Sequence, residues 1–160
     1  MKLAAAFAAL AHFATSAGAA GAAEDGTPIA GAWRLIRRLP TPDHPVCVAR
    51  AAGAEANMDL LLNNDGVPVL IAARPEWRSA GPIEIALSID DKRAQKVTAQ
   101  SAPPLVLVLL SDAKMVERLR QARSLTWSLP FGRVRTDMAG FDAALAAVKA
   151  CQAEGVKGAG

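Results

Sequence analysis

Ile83, Ile85, Leu87 and Ile89 alternate with Glu84, Ala86 and Ser88. A period of two with β-branched residues predicts a strand with one face buried. Asp90-Asp91-Lys92 then turns the chain, and Arg93 to Ala99 returns antiparallel. Earlier, the apolar runs Met58–Leu62 and Val67–Ala73 flank Asn63-Asn64-Asp65-Gly66. An Asp-Gly step between two apolar runs predicts a hairpin, because glycine accepts the positive φ that tight turns need.

The same reading extends in both directions. Ala32 to Leu39 is a first strand carrying Trp33, and Val46-Cys47-Val48 is extended. Between them Pro40, Pro42 and Pro45 predict a stiff loop over Thr41 to Pro45. Gly53 and its neighbouring alanines mark a turn. Arg74 to Pro82 is a loop bracketed by prolines and centred on Trp77, and Pro103-Pro104 separates the next strand, Leu105–Leu110. Ser111 or Asp112 caps a helix whose apolar positions Met115, Val116 and Leu119 recur at helical spacing, ending near Arg123. Leu125–Leu129 and Arg133–Met138 are two more strands joined around Pro130-Phe131-Gly132. Phe141, Leu145 and Val148 mark one face of a final helix, Phe141–Cys151.

Strand patterns outnumber helix patterns, and the connections are short. The expected fold is an α+β domain: an antiparallel sheet or sandwich of about six to eight strands with two covering helices. Residues 32–151 form that single domain, after a flexible leader over 24–31 and before a flexible tail over 152–160.

The first 23 residues read differently. Lys2 precedes an alanine-rich apolar stretch too short to span a bilayer, followed by small residues around Ala17-Gly18-Ala19 and Ala20-Gly21-Ala22. This is the pattern of a secretory signal peptide cleaved near Ala19 to Ala23, and it predicts a periplasmic or secreted protein of about 137 to 141 residues. No later stretch reaches the ~20 apolar residues of a membrane span. In an oxidising compartment the two cysteines, Cys47 and Cys151, pair as a disulfide closing a loop of about 105 residues, worth ~4.7 kcal/mol by chain entropy. No Cys-x-x-Cys motif points to redox chemistry.

The net charge is +3, one unit less once Lys2 is gone, and arginine supplies most of the cations. Export, the absence of tyrosine and the scarcity of aromatic rings argue against nucleic acid as a partner.

Catalytic patterns are thin. Ser111-Asp112-Ala113-Lys114 matches the Ser-x-x-Lys of penicillin-binding enzymes, but its Ser-Asp-Asn and Lys-Thr-Gly companions are missing; a helix cap explains Ser111 and Asp112. His44 and two paired cysteines supply no zinc site, and no glycine-rich phosphate loop is present. No cofactor is expected, and Asp90-Asp91 reads as turn chemistry in which aspartate bonds its own backbone. Trp77 is the candidate contact residue, since a rigid loop offers its large ring at small entropic cost. Arg133 and Arg135 project from one strand face, and with Arg74 and Arg78, or Arg37 and Arg38, they make a candidate anion-binding face.

Trp33 in the first strand, Cys47 a short loop later, Ile89-Asp90 ending a middle strand, and Gly140-Phe141-x-x-Ala144-Leu145 leading to Cys151 form a set. Over residues 32–151 this set resembles the small exported proteins of alphaproteobacteria grouped around invasion-associated locus B. That family usually carries a further cysteine near the first, which this chain lacks. The resemblance implies a β-rich, non-enzymatic periplasmic or envelope protein, and it carries over no catalytic residue.

Three functions follow, in order of support. The first is a non-catalytic exported protein that binds another protein or an anionic envelope component. The second is an inhibitor or immunity-like protein that blocks an enzyme with the Trp77 loop. The last is a small Ser-Lys hydrolase.

Overall fold

A computed structural model of the chain describes residues 26–41, 44–53, 56–73, 75–130 and 132–157. The proposed signal segment and Arg74 lie outside the described residues. The first half of the fold is a meander: β1 (Thr27–Pro28), β2 (Trp33–Thr41), β3 (His44–Ala51), β4 (Met58–Leu62) and β5 (Pro68–Ala73). A second meander follows: β6 (Gly81–Ile89), β7 (Gln95–Ala102) and β8 (Leu105–Leu109). Helix α1 (Ala113–Arg120) leads to the hairpin β9 (Ser124–Leu129) and β10 (Gly132–Asp137), and α2 (Phe141–Lys157) ends the described chain.

Among the described residues all ten strands join one sheet in the order β1-β2-β3-β4-β5-β8-β7-β6-β9-β10, and every pairing is antiparallel. The expected antiparallel sheet with two helices and one disulfide is present, but it has ten strands rather than six to eight. Beyond the strand segments read from the sequence, the structure adds β1 and lengthens β2 and β3. β1 is only two residues long and pairs β2 at Leu35 and Arg34. The expected loop over Thr41 to Pro45 is instead mostly strand, with Pro40 inside β2 and Pro45 inside β3. Proline is tolerated there because this end of the hairpin has one partner per strand: β4 meets β3 only at Ala49–Ala51. A missing N–H on the open edge costs no ladder bond, and a bulge between Arg38 and Thr41 absorbs the irregularity.

The turns follow local chemistry. In the β4–β5 hairpin Gly66 has φ +75°, its N–H reaches the Asn63 carbonyl at 3.0 Å, and Asn63 Oδ1 accepts from the Asp65 and Val67 amides. The β6–β7 turn holds both Asp90 (φ 51°) and Asp91 (φ 56°) in the left-handed region, closed by Lys92 N–H to the Ile89 carbonyl. Positive φ at both central residues is the hairpin turn whose twist matches the strands, and aspartate is among the few side chains that enter it. A cis Pro103–Pro104 bond turns β7 into β8. Asp112 caps α1, accepting from Lys114 N–H at 2.9 Å.

Two connections must step across the sheet. The loop from β5 to β6 passes β8 and β7, three strand spacings or about 14 Å. Helix α1 makes the matching step from β8 past β7 and β6 to β9, and its eight residues span about 12 Å. Met115 and Leu119 are its buried face.

Laid flat, ten strands would extend about 43 Å. Here the sheet curls, because connections at its two ends touch. Gly31, in the β1–β2 turn, has φ +57° and lies against the Ala139 carbonyl, while a Cβ on Gly140 (φ +88°) would come within 2.6 Å of the Ala30 carbonyl. The curl lets α2 leave β10 and return over β2, β3 and β4. Inside lie Trp33, Trp127, Phe141, Met58 and Met138, with Trp33 and Phe141 edge to face at 5.9 Å. Cys47 on β3 and Cys151 on α2 form the expected disulfide, their Cα atoms 6.0 Å apart. The helix continues past Cys151 to Lys157, and Gln152 Nε2 donates to the Leu62 carbonyl, so helix occupies most of the segment expected as a tail.

Candidate functional site

The sequence-derived contact residues do not converge. Trp77 lies half-buried against the core, and its indole N–H donates to Ser101 Oγ. Ser101 Oγ in turn donates to the Ser79 carbonyl at 2.6 Å. The indole thereby fastens the long β5–β6 crossing onto β7. Arg78 is exposed, and its guanidinium caps the carbonyls of Pro75 and Trp77 in its own loop.

Arg135 sits elsewhere. It registers with Thr126, which registers with Ser88, about 23 Å along β6 from the Gly81 end that holds Trp77. Arg133 shares the outer face of β10 with Arg135 and is exposed. Arg37 and Arg38 lie on β2 opposite Cys47 and Val46.

Arg135 is also engaged. Its Nη1 and Nη2 donate to Asp91 Oδ1 and Oδ2 at 2.7 and 3.0 Å, a two-point geometry that suits a planar guanidinium. Nη2 reaches Ser124 Oγ at 3.2 Å as well. The bond from Arg135 holds the Asp91 carboxyl below its ordinary 3.8, and Asp91 raises Arg135 in return. Asp90 behaves differently from the expectation that it would bond its own backbone. Its Oδ1 accepts the Ser124 and Arg123 amides at 2.9 and 2.8 Å, more than thirty residues away. These two bonds, Ser124 first, hold its carboxyl below 3.8. Together the two aspartates clip the β6–β7 turn to the start of β9 and to β10.

Beside this clip lies a feature with no mark in the sequence. A cleft of about 190 Å³ opens between the β6–β7 turn and α1. Buried Leu87 and Met115 lie at its base, and Lys92, Arg93 and Arg118 bring three cations to it. Arg118 Nη2 is held by Gln95 Oε1 at 2.7 Å and touches Met115 Sδ at 3.6 Å. The one carboxylate in the lining, Asp90, is occupied by the two amides at the start of β9. Arg93 and Arg118 are far apart in sequence, and only the crossing of α1 over the sheet unites them.

A second cleft, about 410 Å³, runs between α1 and α2 beside the β4–β5 turn. Ser111 lines it but Lys114 does not. Both are exposed, and among the described residues no hydrogen bond links their side chains. Among the described residues no group of three or more His, Cys, Asp or Glu is placed to hold a metal, and no helix is long and apolar enough to cross a membrane.

The outer face of β4, β5 and β8 is a further candidate. The register aligns Leu61, Val69 and Leu109 in one row and Ile71 with Leu107 in the next. Their neighbours Leu60, Leu70 and Val108 point to the core, so this row lies on the opposite face of the sheet, where Leu61, Ile71 and Leu107 are half-buried and Val69 is buried. Leu109 is 52% exposed. The bidentate pair of Arg50 with Asp59, at 2.5 and 2.7 Å, borders the patch on one side, and exposed Gln100 borders it on the other.

The fold and its clefts define a disulfide-linked α+β domain built on one curled antiparallel sheet. The crystal structure of invasion associated protein B from Bartonella henselae has a similar fold, with a TM-score of 0.56 at 19% identity, covering 78% of this chain and 96% of that one. The likeness drawn from Trp33, Cys47, Asp90 and the last helix is thus supported at the level of fold. No protein-family model matches the sequence, and no curated protein matches it.

Proposed function

We propose that this chain is a non-catalytic exported protein of the periplasm that binds another protein or an anionic envelope component. The apolar outer face of β4, β5 and β8 carries the reading. An apolar row exposed at Leu109 and half-buried at Leu61, Ile71 and Leu107, edged by an ion pair and an amide, has the arrangement of a protein contact surface. The lysine-led apolar start of the chain and the Cys47–Cys151 bond support export into an oxidising compartment. On this reading Leu109 and Leu107 meet the partner, and Arg50 with Asp59 forms part of the rim.

The test pairs fractionation with native sizing. The wild-type protein is expected in the periplasmic fraction as a complex larger than the monomer. Leu107→Lys with Leu109→Lys is expected to release a folded monomer, with unchanged circular dichroism. Recovery of the wild type in the cytoplasm with reduced cysteines would overturn export. An unchanged complex in the double variant would overturn this face as the contact.

A further inference from the structure

We propose that the cleft between the β6–β7 turn and α1 is a binding site for a phosphate monoester group, carried on a small organic body. This deepens the reading of an anionic envelope ligand and rests on it. Lys92 and Arg93 come from the turn side and Arg118 from the helix side, so the cations face one space from two elements. Among the described residues Lys92 and Arg93 have no ion pair or side-chain hydrogen bond. Arg118 is set in place by Gln95 and Met115 through one nitrogen, and among the described residues its Nη1 and Nε make no hydrogen bond. A guanidinium held this way loses little freedom when it binds an oxyanion.

The charge and the shape select the ligand class. Three cations face one carboxylate, Asp90, and that carboxylate is already taken up by the Arg123 and Ser124 amides. The excess of two positive charges matches a dianion. A phosphate monoester presents three terminal oxygens, enough for donors arriving from two elements, whereas a monocarboxylate presents two and one charge. The site is about 190 Å³, too small for a drug-sized ligand and open enough for a compact group. Leu87 and Met115 give the organic body an apolar seat beside the charged rim.

The same headgroup chemistry occurs free and at a lipid surface, so the test has two arms on the purified disulfide-bonded protein. In the first, glycerol 3-phosphate is titrated at low salt and followed by amide NMR shifts. Saturable shifts are expected at Lys92–Gln95 and Met115–Gln121, with sodium acetate about tenfold weaker. Arg118→Gln, and separately Lys92→Gln with Arg93→Gln, are expected to weaken binding about tenfold, while Lys149→Gln on α2 leaves it unchanged. In the second arm the protein is floated with phosphatidylcholine vesicles with and without phosphatidic acid. Flotation only with phosphatidic acid, lost in Arg118→Gln, assigns the site to a lipid headgroup. Glycerol 3-phosphate binding without flotation assigns it to a free monoester. Binding of neither probe, or binding indifferent to Arg118→Gln while the spectrum stays folded, overturns the site. Neither arm depends on the β4-β5-β8 face or on where the protein resides, so failure here and failure of the broader reading are seen separately.

Discussion

Arg135 on β10 grips Asp91 at the β6–β7 turn through two parallel hydrogen bonds of 2.7 and 3.0 Å, across 44 residues of chain. The neighbouring Asp90 accepts from the Arg123 and Ser124 amides, where the chain enters β9. An adjacent acidic pair thus works as a clip between three strands. It also removes Arg135 from the set of cations open to a ligand and leaves Lys92, Arg93 and Arg118 to form the cleft.

The clip makes stability depend on acid. Asp90 and Asp91 both have folded pKa values below the 3.8 of the unfolded chain, so the folded state binds fewer protons than the unfolded one in that range. Their contribution is therefore fully present above 3.8 and is lost as pH falls through the lower folded values. Urea midpoints measured from pH 7 down to pH 2 should drop below pH 4, and Asp90→Asn with Asp91→Asn should flatten that drop. An unchanged acid slope in the double variant would remove the two aspartates as its cause.

The disulfide ties α2 to β3. Cys47→Ala with Cys151→Ala should cost about 2–5 kcal/mol relative to the disulfide-bonded wild type in urea unfolding. Cleavage by a protease should then begin in α2, which the covalent link no longer holds against β2, β3 and β4.

Two glycines of similar φ should respond differently to alanine. Gly66 has open space around its Cβ position and φ +75°, so Gly66→Ala should cost only the left-handed conformation, about 1 kcal/mol. At Gly140 the added methyl also meets the Ala30 carbonyl at 2.6 Å. Gly140→Ala should cost more than Gly66→Ala, because the connections at the two ends of the sheet must part. Equal thermal midpoints would contradict the contact.

Ser101→Ala removes both the acceptor for the Trp77 indole and the donor to the Ser79 carbonyl. A loss of about 1 kcal/mol is expected. Trp33 and Trp127 are fully buried, so a red shift of the emission would report Trp77 leaving its seat.

Much of the fold was legible because local chemistry acts within a few residues. The Ile83–Ile89 alternation, the Asn63–Gly66 turn and the Asp112 cap each specify their element from neighbours in sequence. Only the tip of the β2–β3 hairpin, expected as a loop over Thr41 to Pro45, was hidden, because proline reads as a breaker. Whether it breaks depends on whether its nitrogen faces a partner strand, which composition does not state. Trp77 was legible as an unusual residue, but not as the fastener of a crossing, since that role exists only once β8 and β7 lie between β5 and β6.

By itself, then, the sequence determined the alternation of the strands, the turn at Asp90-Asp91, the apolar face of α1 and the cysteines available to bond. Those properties depend on period, handedness and residue chemistry. Tertiary structure alone decided which charges meet. The curl of the sheet and the crossing of α1 placed Arg118 beside Lys92 and Arg93, and placed Arg135 on Asp91. Electrostatic pairing acts over a few ångströms in space, and a linear chain carries no record of which distant residues will come that close.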